Sequence, residues 1–175
     1  MSREFEHRSG IWLTEKNQMF SKDGANRLKW LISQTPRPSE WLFPGGTITI
    51  NLFEAASYCF VNGQFLGAMV MGLSYIEQTL TGIFAAAGRK ELQNAGVELL
   101  AREAMSLAIF NQKDFEIVKE ASKKRNAKFI KRKLTGPEND EFPTIGEDEQ
   151  ESAVYEEDGR KVMSVVIHLL DKKLA

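Results

Sequence analysis

The sequence is poor in the residues that most small-site chemistries need. It holds one cysteine, Cys59, and two histidines, His7 and His168, in 175 residues. A single thiol excludes an internal disulfide framework and any zinc site of clustered cysteines. No metal and no cofactor is expected. A glycine-rich phosphate loop is missing too, since "FPGGT" at Phe43–Thr47 is too short and precedes the wrong pattern. An excess of either charge is also lacking. With 23 Lys and Arg against 24 Asp and Glu the formal net charge is −1, so any pull on nucleic acid or membrane must be local. The opening "MSREFEHRSG" is charged and has no apolar segment. That excludes a signal peptide at this position and makes a cytoplasmic, reducing location the expectation.

One long uncharged run does occur, 22 residues from Ala55 to Ile76, enough to span a bilayer. Asn62, Gly63 and Gln64 stand at its middle and Glu77 ends it. An amide pair at the bilayer centre is unfavourable, and the triplet reads as a turn between two helices. No membrane partner is expected.

What is present is a foldable chain of single-domain length, 42% hydrophobic and 27% charged. Residues 1–46 form a mixed N-terminal appendage. Ser9–Thr14 suits a short strand, Ala25–Ser33 one or two helical turns, and Thr35–Gly46, with three prolines and two glycines, a loop. Trp30 and Trp41 are expected to pack this appendage onto the main body.

From Thr47 onward the periodicity is helical. Leu52, Ala55, Ala56, Cys59 and Phe60 mark a first stripe ending near Asn62-Gly63. A longer helix follows from about Gln64 to Ala87, with Phe65, Ala68, Met69, Gly72, Leu73, Ile76, Leu80, Ile83 and Phe84 inward and Gly88 as its stop. Its small residues Gly67, Ala68 and Gly72 allow close approach of a neighbour. A third helical region begins at Glu91 or Val97, breaks at "NQKD" and restarts at Asp114 as N-cap. It then runs through Val118 and Ala121 to Phe129, and Gly136-Pro137 stops it. An acidic loop at about 136–151 follows. The last helix covers about Ser152 to Leu174, with Val162, Val165, Val166, Leu169 and Leu170 buried. The fold class is therefore all-α: an antiparallel bundle of four to five helices over 47–175, plus the appendage.

Candidate chemistry concentrates in "SKKRNAKFIKRK", Ser122–Lys133, which has seven basic residues and no acid. Arg125 lies on the inward stripe and Glu77 borders the core on the long helix. A buried carboxylate needs a hydrogen-bonded partner, which a planar guanidinium suits, so the two are candidates for a buried ion pair. Asn126, one position round, can cross-link helices. Lys123, Lys124, Lys128, Lys131, Arg132 and Lys133 spread over the outer face. They make a solvated helix surface, a mate for the ten acids of Pro137–Asp158, or a phosphate-binding surface. Only Phe129 interleaves an aromatic among them. His168 falls on the polar face of the last helix and is expected to meet water without support.

Four features together resemble the HEPN superfamily of helical bundles. A helix broken at "YCFVNGQF" precedes a long helix with an inward acid, "GAMVMGLSYIEQTL". A helix bearing Arg-Asn, "ASKKRNAKFIKRK", and an acid-led last helix, "YEEDGRKVMSVVIHLL", follow. The resemblance spans about 47–175. It implies a homodimer, and many members are metal-independent ribonucleases, often of toxin–antitoxin or defence systems. In such enzymes an arginine stabilises phosphate charge and a histidine a few residues on moves the proton of the attacking 2′-hydroxyl. Here Arg125 and Asn126 match, but the histidine is replaced: Ile130, Lys131 and Arg132 stand in the corresponding positions. The expectation is a non-catalytic interaction module with an RNA or protein partner. The alternatives are an endoribonuclease using Arg125, Asn126 and Lys131, and a nucleic-acid-binding module using residues 119–133.

Overall fold

The structure, a computed structural model, describes residues 23–130, 149–170 and 172, with the side chains of 127–130 and 149–152 outside that description. Six helices account for most of it, and no strand occurs among the described residues. Helix α1 covers 23–34, three turns where the sequence suggested one or two. It is followed by α2 (Thr47–Val61), α3 (Phe65–Ala86), α4 (Val97–Ser106), α5 (Gln112–Ile130) and α6 (Glu149–His168). The strand expected at Ser9–Thr14 and most of the acidic loop lie outside the described residues.

Three of these helices end by the same device. After α2, Gly63 takes φ 73° and the Gln64 amide donates back to the Cys59 carbonyl at 2.8 Å. After α3, Gly88 takes φ 79° and Arg89 N–H donates to Phe84 O at 2.8 Å. This reversal satisfies carbonyls that the helix itself leaves open, and it needs a left-handed residue that glycine supplies without a Cβ penalty. After α4 the position is filled by Ala108 at φ 57°, with Ile109 N–H donating to Ala104 O at 2.9 Å. The uncharged run Ala55–Ile76 is thus two helices meeting at Asn62-Gly63. No described helix is long and apolar enough to cross a membrane.

Helix α3 is central, with α2, α4, α5 and α6 packed against it. All nine residues of its expected stripe are buried, together with Tyr75 and Thr79. Two glycines set the spacing of its neighbours. A Cβ on Gly67 would stand 3.1 Å from Cys59 Sγ on α2, and one on Gly72 would stand 2.7 Å from Val162 Cγ1 on α6. The five apolar residues expected of the last helix are all buried, three on α6 and two, Leu169 and Leu170, in the turn that ends it, short of the expected Leu174.

Helix α2 departs from expectation. The buried set is Thr49, Phe53, Ala56 and Phe60, while Leu52, Ala55 and Cys59 are only half-buried. The cause lies in the N-terminal segment. Trp41 and Phe43 close on the Phe53 ring at 5.4 and 6.0 Å between centroids, covering a flank that the bundle alone would leave open. The rest of that segment is equally attached. Trp30 packs on Phe60 at 5.2 Å, and the Arg160 guanidinium stacks 5.0 Å over the Trp30 ring. Buried Arg27 donates from Nε to Val61 O at 3.0 Å and approaches Glu156 at 3.6 Å; Glu156 also accepts from Arg160 at 2.7 Å. Leu42 N–H donates to Leu170 O at 2.8 Å. Residues 23–46 are one wall of the bundle.

Candidate functional site

The Arg-Asn dipeptide sits where the buried stripe of α5 comes to the surface. Val118, Ala121 and Ser122 are buried. One turn on, Arg125 is half-buried, while Lys123 and Asn126 are exposed. This follows from the 3.6-residue repeat, which returns position 125 to the face of 118, 121 and 122. Glu77 is half-buried on α3, and its backbone carbonyl accepts from Thr81 Oγ1 at 2.8 Å. The expected pairing is not made: among the described residues no ion pair links Glu77 to Arg125. Both reach only the margin of the core, where long side chains carry their charged tips into water and no buried partner is required.

The lysine beside Arg125 does find an acid. Lys124 Nζ lies 2.6 Å from Asp158 Oδ2, and Asp158 is buried. One turn along α6, Lys161 and Glu157 pair at 2.7 Å. Each holds the other charged: the hydrogen bond from Lys161 lowers the Glu157 carboxyl, and Glu157 raises the Lys161 ammonium. Between α5 and α6, Lys124, Asp158, Lys161 and Glu120 line a crevice of about 10 Å³ together with Met69 and Ile117, room for about one water. It can orient charge and admits no organic ligand. Of the basic stretch, then, Lys124 is neutralised by α6, while Lys123, Arg125 and Asn126 face outward or sit at the margin. The side chain of Lys128, and Lys131, Arg132 and Lys133 entirely, lie outside the described residues.

The opposite end of α5 carries an arrangement that sequence reading missed. Asn111 is the true N-cap, accepting from Asp114 N–H at 3.0 Å through its side chain. Asp114 answers by accepting the Asn111 amide at 3.1 Å. This reciprocal capping starts the helix at Gln112, so Asp114 is the third residue of the helix and not its cap. The same Asp114 Oδ2 lies 2.9 Å from His168 Nδ1, and the imidazole sits against Phe110 with ring centroids 6.4 Å apart. His168 is therefore supported, contrary to expectation, and its side chain is 28% exposed. The spacing Asn111-x-x-Asp114 was the available signal. It resembles a capping box written with Asn and Asp in place of Ser/Thr and Glu/Gln. Asp114 and Arg125 are eleven residues apart on one helix, about 16 Å along its axis.

A third feature lies on the N-terminal side. Between the end of α1, the loop after it and α2 is a cavity of about 400 Å³, walled by Leu31, Ile32, Trp41 and Phe53. Trp41 packs the appendage as expected and also lines this cavity. The tight turn Pro38–Glu40 holds the indole in place, with its N–H donating to Pro36 O at 2.8 Å. No family model, no curated protein and no solved structure matches the chain.

Proposed function

We propose that this chain is a non-catalytic, HEPN-like helical interaction module that works as a homodimer with an RNA or protein partner, of the kind associated with toxin–antitoxin or defence systems. One observation carries most of the reading. The single histidine among the described residues is held beside Asp114 at the start of α5, about 16 Å along the helix from Arg125. Within one protomer it is not placed to replace the proton carrier that Ile130, Lys131 and Arg132 do not supply. Arg125 at the core margin and Asn126 on the surface serve as a recognition pair, with no histidine beside them among the described residues. An arginine fork of this sort suits phosphate or carboxylate on a partner.

The test is incubation of purified protein with single-stranded RNA in chelator. The expected result is no cleavage above the blank, the same for Arg125→Ala and Lys131→Met. Cleavage that Arg125→Ala abolishes would overturn the reading. Sedimentation equilibrium is expected to give a mass near twice 19.8 kDa, and a monomer at all concentrations removes the dimer from the proposal.

A further inference from the structure

We infer that the cavity beside Trp41 is a binding site for a small amphipathic carboxylate, with an apolar alkyl or aryl body inside and its charged end at Arg37. The inference stands apart from the reading of Arg125 and Asn126. Its first support is size and wall chemistry. About 400 Å³ lies within the range of pockets that hold organic ligands, and such pockets pair apolar walls with a few placed polar groups. Here the walls are the Trp41 and Phe53 rings and the Leu31 and Ile32 side chains.

The second support is which polar groups remain unused. Thr35 Oγ1 lines the cavity but already donates to Leu31 O at 2.6 Å, and the Trp41 N–H is taken by Pro36 O. Two groups are left. Ser57 is a lining residue, half-buried overall, and its hydroxyl is shut off from solvent with no hydrogen-bond partner among the described residues. A buried hydroxyl without a partner is uncommon, because it forfeits its bonds to water. Arg37 is a lining residue and exposed, and its guanidinium makes no ion pair or hydrogen bond among the described residues. Among the described residues no carboxylate side chain lines the cavity.

These groups select a ligand class. A neutral hydrocarbon would leave Arg37 and Ser57 as they are, and a cation would meet the wrong charge. A carboxylate presents two acceptor oxygens in the plane that matches the guanidinium fork.

The experiment is titration of the full chain with decanoate, decanol and decyltrimethylammonium, all below their micelle concentrations, by calorimetry and tryptophan fluorescence. One decanoate is expected to bind per chain, about tenfold more tightly than decanol, consistent with the strength of charge-assisted hydrogen bonds. Arg37→Gln should remove that tenfold advantage and leave decanol unchanged, while Arg37→Glu should transfer the preference to the cation. Arg37 is exposed, so both variants are expected to fold, with matching circular dichroism as the check. Trp41→Phe should strongly reduce the decanoate-dependent fluorescence change, since Trp41 is the tryptophan among the described residues that lines the cavity, while Trp30 lies against Phe60. Equal affinity for decanoate and decanol, an Arg37→Glu variant with unaltered preference, or no saturable binding each overturns the proposal.

Discussion

Asp114 binds two parts of the molecule at once: its carboxylate caps α5 through the Asn111 amide and meets His168 of α6 at 2.9 Å. Loss of the carboxylate removes both. Asp114→Ala is expected to cost about 1–2 kcal/mol, within the range of helix-cap deletions. His168→Gln keeps the cap and should cost less than half of that. Urea unfolding of both single variants and the double variant checks the pair. The two costs should fail to add, since the residues are in contact.

Ala108 is the position where a small gain in stability is available. It holds φ 57°, where a Cβ crowds the neighbouring carbonyl, and it closes α4 as Gly63 and Gly88 close α2 and α3. Ala108→Gly should stabilise the fold by about 0.5–1 kcal/mol, the left-handed penalty less the extra entropy of glycine. Ala108→Val, being β-branched, should destabilise it. Thermal melts of the two variants are expected to move in opposite directions.

At Gly72 there is no room. A methyl there would stand 2.7 Å from Val162 Cγ1, inside the packed contact of α3 with α6. Gly72→Ala should destabilise by about 1–3 kcal/mol, as overpacked cores do. Adding Val162→Ala should recover part of the loss, although Val162→Ala alone is itself destabilising. Denaturant midpoints decide, and a double variant no better than Gly72→Ala would count against the contact.

Tyr75 makes stability depend on alkaline pH. Burial pushes its phenol up to about 12 from 10.0, with Thr79 one turn on pulling weakly the other way. The two hydroxyls nonetheless form no well-made hydrogen bond. Because the folded value is the higher one, the contribution is complete below pH 10 and disappears as pH rises from 10 to about 12. The loss is roughly 2–3 kcal/mol, at 1.36 kcal/mol for each unit. Tyr75→Phe should flatten the stability profile over that window. At neutral pH it should be close to neutral or slightly stabilising, since it removes a buried hydroxyl that lacks a partner. Unfolding free energies measured at pH 8, 10 and 11 test both statements.

The sequence shows the helices of this fold plainly and its site only in part, for a physical reason. Positions such as Phe65, Ile76 and Val166 repeat with the helix, and burial follows from repetition alone. On α2 periodicity finds Ala56 and Phe60 but not Phe53, because Trp41 and Phe43 arrive from outside the periodic region and cover it. No pattern within Thr47–Val61 announces that. Glu77 and Arg125 were each placed correctly near the core edge, yet proximity to a core does not reveal which two helices face each other there. Asp114 and His168 are 54 positions apart, and their meeting depends on how the end of α6 lies against the start of α5. The cavity beside Trp41 is a void, and a void has no residues of its own to leave a mark in the sequence.

The attachment of residues 23–46 has a consequence for how the molecule comes to exist. Their partners lie at the far end of the chain: Arg27 and Trp30 meet Glu156 and Arg160, and Leu42 meets Leu170. A ribosome adding about 5–20 residues each second leaves these early residues without α6 for on the order of ten seconds. Through that interval Trp30 and Phe60 lack the Arg160 side chain and the helix that later pack on them, and the nascent chain is sticky on that side. The contacts of residues 23–46 with α6 and Leu170 form only once that later segment has been made.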